Sequence, residues 1–383
     1  MVRGLLCKEL TMNNSDYSER RLERTRARMA AQGLDALYVR GTSSIAWLTA
    51  FDDVFDDEPA HAVLVEGART ALHTDSRYAL ACRLSAQGGP IVVEAERVAH
   101  AVWAARRLGQ AGAPVTVGIE DDLPLREYRA LTAALEAEGV TATLVETADF
   151  VPGLRAVKDA MEIERMRATQ RITDAAFAHI TSFIRPGMTE REVQVELEDF
   201  MYRHGSVGLA FSSIVACGPD AAMAHAIPGP VALEAGQCVV MDFGARSQGY
   251  CSDMTRTVFI GEPSARLRDA YAAVRAANET VEALLAPGVT GAQAHNRAEE
   301  VLAQHGFAGK MGHALGHGVG IDIHEAPVLA PRNTDALVAG NVVTVEPGVY
   351  FDGEFGMRLE DFGVITDDGY EVFTRSTHEM VIL

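Results

Sequence analysis

Between Ser18 and Gly33 apolar residues recur at helical spacing on a charged, arginine-rich segment, and Asp35–Arg40 follows as a short apolar run of strand length. The alternation continues with strand-like runs at 61–66, 90–95, 114–119 and 141–146, interleaved with helix-like runs at 76–87, 97–110 and 124–138. Strands alternating with amphipathic helices predict an α/β domain. The pattern breaks around 149–157, at Val151-Pro152-Gly153, and a long charged helix begins near Lys158, exposing Asp159, Glu162, Glu164, Arg165 and Arg167. We therefore expect an N-terminal domain over 12–152 and a second domain over 153–383, with residues 1–11 a disordered lead of no assigned role.

The second domain repeats itself. Pro186-Gly187-Met188-Thr189-Glu190-Arg191-Glu192 leads a helix stopped at His204-Gly205, and Pro287-Gly288-Val289-Thr290-Gly291-Ala292-Gln293 leads one stopped at His305-Gly306. Each reads as Pro-Gly, a capping box of Thr with Glu or Gln three residues on, and a helix ended by glycine. The copies lie 101 residues apart. Each is followed by an isolated histidine, His225 or His324, and by a strand pair carrying two acids. In the first copy Asp242 and Asp253 are expected almost opposite one another across a turn near 247–249; in the second, Glu346 and Glu360 across a turn near Gly353.

Exposed hairpins often carry acids, so one such pair means little. Here acids interrupt apolar strands twice, at matching repeat positions, and like charges opposed on a half-buried sheet destabilise it unless a cation lies between them. Four carboxylates with one neutral imidazole carry four negative charges, which two divalent ions neutralise. Oxygen-dominated ligation favours manganese, cobalt or iron over a thiolate-type zinc site. Two ions roughly 3.5–4 Å apart share a bridging hydroxide and polarise the group it attacks, so the implied reaction is hydrolysis. On this reading Glu346, a ligand with one oxygen free, takes the proton of the attacking water. His225 and His324, outside the metal shell, donate to a developing oxyanion or a leaving nitrogen, and Arg358, two residues before Glu360 on the same face, orients that carboxylate. A lone histidine is more often packed than functional, and His73, His100, His295 and His305 lack this support and are expected to be structural.

Composition narrows the partners. A formal net charge of -19 argues against nucleic acid or an anionic membrane surface, which need a basic footprint, and favours a neutral, zwitterionic or cationic substrate. The five cysteines form no Cys-x-x-Cys pair, so neither a disulfide framework nor a thiolate metal site is indicated, and a reducing cytoplasm fits best. No apolar run approaches the roughly 18 residues of a membrane span, and charge appears too early for an export signal. The acidic run Asp52–Glu58 lacks the spaced ligands and central glycine of a calcium loop and is read as solvated.

Assembled, these residues resemble the methionine aminopeptidase/prolidase/aminopeptidase P superfamily, the pita-bread metallopeptidases. The matching stretches are Asp242-Phe-Gly, Ser252-Asp253-Met-Thr-Arg-Thr, His313-x-x-Gly-His317-Gly-Val-Gly-Ile-x-x-His324-Glu325, Val345-Glu346-Pro-Gly-Val-Tyr and Arg358-Leu-Glu360-Asp361. Trp47-Leu-Thr-Ala-Phe51 and Thr74-Asp75-Ser-Arg77-Tyr78 resemble the smaller N-terminal domain of prolidases and aminopeptidase P, and Leu154-Arg155-x-Val-Lys158-Asp159 resembles the joint in bacterial Xaa-Pro peptidases. The resemblance implies an α/β (α+β) chain with a C-terminal pita-bread domain built on the internal repeat and a smaller creatinase/prolidase-type domain before it. It implies two divalent metal ions held by Asp242, Asp253, His317, Glu346 and Glu360; manganese is the first expectation, with cobalt, iron and zinc as alternatives. It further implies His225 and His324 as substrate contacts, His313 as a further histidine at the cleft, Glu346 as general base, and a homodimer. The implied substrate is a short peptide with proline at the second position, cut at the Xaa-Pro bond; proline's tertiary amide and fixed φ give that bond a selectable shape.

One departure bears on substrate length. Strict dipeptidases of this kind carry an arginine soon after His-Glu to hold the dipeptide carboxylate; here the segment is His324-Glu325-Ala-Pro327-Val328-Leu329, with Arg332 as the substitute on offer. Two other readings of the same fold are a creatinase-like hydrolase working without metal and a non-catalytic peptide-binding module. Retention of all five ligands ranks both below the metallopeptidase.

Overall fold

Alternating apolar runs and amphipathic helices make the chain's N-terminal unit a mixed six-stranded sheet with helices packed on it. The computed structural model describes residues 13–56 and 58–383, so the expected lead at 1–11, Asp57 and Cys7 lie outside the described residues. Asn13 caps α1 (Asn14–Ala31) in a capping box with Asp16, four residues before the expected start, because the side chain of Asn13 satisfies a free N–H of the first turn. The strands are β1 (Ala36–Val39), β2 (His61–Glu66), β3 (Thr70–Thr74), β4 (Ile91–Glu94), β5 (Val115–Glu120) and β6 (Ala142–Thr147), in the order β4-β3-β2-β1-β5-β6. The sequence pattern missed β3 and the helix α2 (Thr42–Thr49): both are short and rich in threonine, which carries no clear periodicity.

The remaining helices of this unit are α3 (Ala79–Ser85), α4 (His100–Gly109), α5 (Leu125–Ala137) and α6 (Phe150–Arg155). Trp103 and Leu108 of α4 and Leu131 and Leu135 of α5 bury against Tyr38, Leu64, Val117 and Ile119 of the sheet. His73 and His100 share a hydrogen bond between their Nδ1 atoms at 2.7 Å, with the His73 ring stacked on Trp103, a packed pair as expected. In the acidic run, Asp52 accepts from Asn14 and Asp56 from the Tyr78 hydroxyl. Pro152 sits in the first turn of α6, where its missing N–H costs nothing, so the Val-Pro-Gly signal lies inside a helix. The two compact units divide after Arg155.

The second unit opens with α7 (Ala160–Phe183), capped by Asp159 in a box with Glu162, and α8 (Glu190–Arg203), capped by Thr189 with Glu192. Their apolar faces, including Phe177, Ile180, Val193 and Leu197, bury against β7 (Gly208–Leu209), β8 (Ile214–Cys217), β9 (Cys238–Phe243) and β12 (Met254–Phe259). The second copy does the same with α9 (Ala265–Leu284) and α10 (Gly291–Gln304), the latter capped by Thr290 in a box with Gln293. Val274, Val281, Ala298 and Leu302 pack on Leu315, which precedes β13 (Gly316–Gly318), on β15 (Val342–Val345) and on the hairpin of β16 (Gly348–Phe351) with β17 (Phe355–Arg358). Each copy is therefore a helix pair over its own sheet, one of four strands and one of five; β14 (Glu325–Leu329), β18 (Asp361–Ile365) and β19 (Tyr370–Val372) complete the second. Cys217, Cys238 and Cys251 are buried. Among the described residues no helix is long and apolar enough to cross a membrane.

Candidate metal centre

Strand register brings the four acids together, though not in the two ways expected alike. β9 pairs antiparallel with β12 so that Asp242 faces Thr255, and Asp253 lies just before the strand, two positions off. Asp242 and Asp253 are thus diagonal neighbours on one face rather than opposed. The offset arises because the short hairpin β10 (Ala245–Ser247) and β11 (Tyr250–Cys251) is inserted between them, turning at Gln248 and Gly249, both at positive φ. In the second copy β15 pairs with β18 through Val345–Asp361 and β16 pairs with β17 through Gly348–Arg358. Glu346 and Glu360 fall at the in-register position between the two ladders, where the strands part.

Those backbone groups turn to other strands. The Glu346 N–H donates to the Leu315 carbonyl at 2.9 Å, and the Glu360 N–H to the Thr255 carbonyl at 3.1 Å. The second of these bonds, with Thr257 Oγ1 donating to the Arg358 carbonyl at 2.9 Å, lays the first copy's β12 beside the second copy's Arg358–Glu360 segment. Two acid pairs from opposite copies thereby share one face. β13 delivers His317 from the other side, held by its N–H on Thr344 Oγ1 at 3.0 Å. The glycines flanking His317 serve the sheet rather than a ligand: a Cβ at Gly316 would stand 2.2 Å from the Thr344 carbonyl, and one at Gly318 2.4 Å from that of Ala326.

The result is a dense cluster of donors. Asp253, His317 and Glu360 each offer an atom within 4.8 Å of the others, and His317 Nε2 lies 3.6 Å from Asp253 Oδ2 and 3.4 Å from Glu346 Oε1. His317 Nδ1 faces the Gly318 carbonyl at 3.1 Å, which places the proton on Nδ1 and leaves the Nε2 lone pair toward the carboxylates. Burial pulls the His317 pKa down to about 4, so the imidazole is neutral. Burial and then mutual repulsion hold Asp253 and Glu360 well above the usual carboxylate range and push Glu346 up to about 8. Asp242 Oδ1 is buried with no partner. Crowded carboxylates that resist ionisation, an orphaned oxygen and a neutral imidazole lone pair are the donor set of a divalent cation site.

Arg358 does not reach Glu360 directly. Its Nη2 pairs with Asp242 Oδ2, Nε donates to Thr255 Oγ1 at 3.0 Å and Nη1 to the Tyr350 hydroxyl at 2.8 Å. Thr255 Oγ1 donates in turn to Glu360 Oε2 at 2.7 Å, so the hydrogen-bond link from Arg358 to Glu360 runs through that hydroxyl. The alternation of β17 points Arg358 at the neighbouring hairpin of the first copy, which the spacing within one strand does not reveal. His313 has both ring nitrogens engaged, Nδ1 with the Ala314 carbonyl at 2.7 Å and Nε2 with the Tyr350 hydroxyl at 3.1 Å. Its contact to the cluster therefore runs through Tyr350 and Arg358. The His324 ring packs edge-on against His317, centroids 4.4 Å apart, whereas His225 is exposed.

All nine expected residues, His225, Asp242, Asp253, His313, His317, His324, Glu346, Arg358 and Glu360, line one cavity of about 630 Å³. Arg332 is exposed and does not line it. Residues missed from the sequence are Thr255, Thr344 and Tyr350. The period of two was the available signal for the threonines, since Thr344 and Glu346, like Asp253 and Thr255, share a strand face. In a second grouping, Glu282, Asp361 and His378, Arg256 and His378 are each bonded to Asp361 at 2.7 Å, while Glu282 Oε1 is buried without a partner.

Residues 164–367 match the model of metallopeptidase family M24, and residues 21–157 match the creatinase/prolidase N-terminal domain. The chain belongs to metallopeptidase family M24. This M24 chain is 33% identical to the uncharacterized peptidase YqhT of Bacillus subtilis, over 95% of its length and 100% of that protein. Among solved structures it resembles an Xaa-Pro dipeptidase from Bacillus anthracis, with a TM-score of 0.88, 35% identity and coverage of 96% of this chain and 100% of that one. An X-Pro aminopeptidase from Thermotoga maritima superposes with a TM-score of 0.84 at 30% identity, covering 93% and 100%. The chain thus has a creatinase-type domain followed in sequence by a pita-bread M24 domain, and membership of this metallopeptidase family implies divalent metal ions.

Proposed function

We propose that this M24 metallopeptidase hydrolyses the Xaa-Pro bond at the N-terminus of short peptides, with two divalent ions, manganese in the first instance, held by Asp242, Asp253, His317, Glu346 and Glu360. The observation that carries the reading is the convergence of those five residues, from both copies of the repeat, on one cavity with Asp242 Oδ1 unpartnered. The peptidases of B. anthracis and T. maritima that the chain resembles are named for the same bond.

Such a pair of ions supplies Lewis acidity for the scissile carbonyl and lowers the pKa of the attacking water. The side chains do the rest. Glu346 has one oxygen tied to Thr344 Oγ1 at 3.2 Å and the other free to receive the water's proton. His324, edge-on against His317 at the cavity wall, meets the developing oxyanion, and His225 on the opposite copy meets the proline nitrogen as it leaves. Phe211, Ile214, Ile227 and Ile323 give the cavity an apolar wall against which a proline ring packs. Thr255, Arg358 and Tyr350 hold the carboxylates in place.

Mass spectrometry of Ala-Pro, Ala-Ala and creatine, each incubated with manganese-loaded protein, tests the reading. Free alanine and proline from Ala-Pro alone are expected. Turnover of creatine without Ala-Pro cleavage selects the creatinase-like alternative, and peptide binding with no cleavage selects the binding module.

A further inference from the structure

His324 lines the cavity with no hydrogen bond or ion pair on its ring among the described residues; its ring contact is the edge-on one with His317, centroids 4.4 Å apart. A side chain held so lightly takes its position from its backbone. That backbone is the turn between β13 and β14, whose ladder closes at Gly318 and Glu325. Within the turn the Gly320 N–H donates to the Asp322 carbonyl at 3.0 Å, and the Cys251 N–H holds the Gly320 carbonyl at 2.8 Å. The stretch nearest His324 is held by a side chain: Glu325 Oε1 accepts from the Asp322 N–H at 2.9 Å. Glu325 Oε2 lies against Gly320, where a Cβ would stand 2.5 Å from it, so the turn closes around this carboxylate.

A carboxylate so placed needs a cation, and Lys158 supplies it. Its Nζ lies 3.1 Å from Glu325 Oε2, with the two side chains only 1% and 7% exposed. Lys158 stands just before the Asp159 cap of α7, 167 positions away in the chain, and its backbone is fixed independently of the turn. The Lys158 N–H donates to the Gly340 carbonyl at 2.9 Å, Val157 bridges to Asn341, and Asn341 Nδ2 donates to the Ala156 carbonyl at 2.9 Å. Gly340 and Asn341 lead into β15, the strand that ends beside Glu346. Lys158 therefore reaches the turn from the same frame that carries a metal ligand. Burying both ions costs desolvation that their attraction does little more than repay, so stability does not account for the pair. Its place does, one residue from His324.

We propose that Lys158 is a positioning residue for His324: through Glu325 it holds the turn 320–325 so that the imidazole stands where the oxyanion develops. The inference rests on the Xaa-Pro reading of the metal centre. Displacing a group that meets the transition state by about 1 Å costs on the order of 10²-fold in rate. Without the ammonium the turn relaxes and His324 drifts, while the five ligands, on or beside their strands, stay where they are.

The test measures kcat and KM for Ala-Pro on manganese-loaded wild type, Lys158→Met, Lys158→Arg, His324→Ala and the Lys158→Met/His324→Ala double variant, with amide hydrogen exchange followed over residues 319–326. Lys158→Met is expected to lower kcat by about 10- to 100-fold with KM and manganese uptake near wild type, and Lys158→Arg to restore most of it. In the His324→Ala background the same change costs less than about twofold further, because the two residues act as one unit. Exchange in 319–326 rises at least about tenfold in Lys158→Met and stays at the wild-type rate in Lys158→Arg. Should Lys158→Met not fold, Glu325→Gln, which keeps an oxygen for the Asp322 N–H and removes the charge Lys158 holds, is expected to show the same loss of kcat and the same dependence on His324. An equal loss of kcat with and without His324, or wild-type exchange in 319–326, overturns the positioning role and leaves the metal-centre reading intact. No cleavage of Ala-Pro by wild type removes the Xaa-Pro reading, and the role of Lys158 with it.

Discussion

Arg358 and Asp242 belong to different copies of the repeat, stand 116 positions apart, and meet as a buried ion pair beside the metal cluster. The pair joins the two halves electrostatically at the cluster, as Arg256–Asp361 does beside it, and Arg358 is only 3% exposed. Breaking a buried pair by removing one partner costs about 3–5 kcal/mol, because the other charge is left uncompensated. Arg358→Met is therefore expected to destabilise chelated protein by about 3 kcal/mol in urea unfolding, and manganese is expected to return part of the loss by neutralising Asp242. A variant that unfolds like wild type in both states would show that the pair carries no such load.

The carboxylate crowding has a pH signature. In metal-free protein Asp253, Glu346 and Glu360 are held above their ordinary values, so the folded state keeps protons that the unfolded chain releases above pH 4.5 or so. A raised carboxylate pKa contributes stability at low pH that is lost as pH rises through the folded value, which for Glu346 is about 8. The gap in Tm between manganese-loaded and chelated protein is thus expected to widen from pH 5 to pH 8. A gap that is constant or narrows over that range contradicts the crowding.

Histidines of the N-terminal unit tilt stability the other way. Burial pulls His100 down to about 3 and His61 to about 4, so both stay neutral when folded while the unfolded chain takes up protons below about 6.5. Their contribution is present above about pH 6.5 and is lost as pH falls toward 4. Both tryptophans, Trp47 and Trp103, lie in this unit, so tryptophan fluorescence reports its unfolding alone. Wild type is expected to lose stability by this probe from pH 6.5 to 4, and His100→Asn to flatten the slope. An equal slope in the variant assigns the acid sensitivity elsewhere.

Much of this is legible in the sequence. The capping boxes at Thr189 and Thr290 marked the repeat because a helix start is a local event, written in four consecutive residues. The same logic brought Glu346 and Glu360 into register, since a tight hairpin at Gly353 fixes spacing on both strands. It failed for Asp242 and Asp253, where the inserted β10–β11 hairpin shifts the count by two. Arg358 reaches Glu360 through Thr255 and pairs directly with Asp242, which lies on a strand of the other copy, a relation no single-strand pattern encodes.

The central claim is that the five ligands hold two divalent ions on which Xaa-Pro cleavage depends. It is tested most directly by adding manganese stepwise to exhaustively chelated protein while following Ala-Pro hydrolysis and bound metal together. The account predicts no activity without metal, a rise complete at two ions per chain, and loss of metal uptake in His317→Ala. Ala-Pro hydrolysis that persists after chelation, or full metal uptake in His317→Ala, would contradict it.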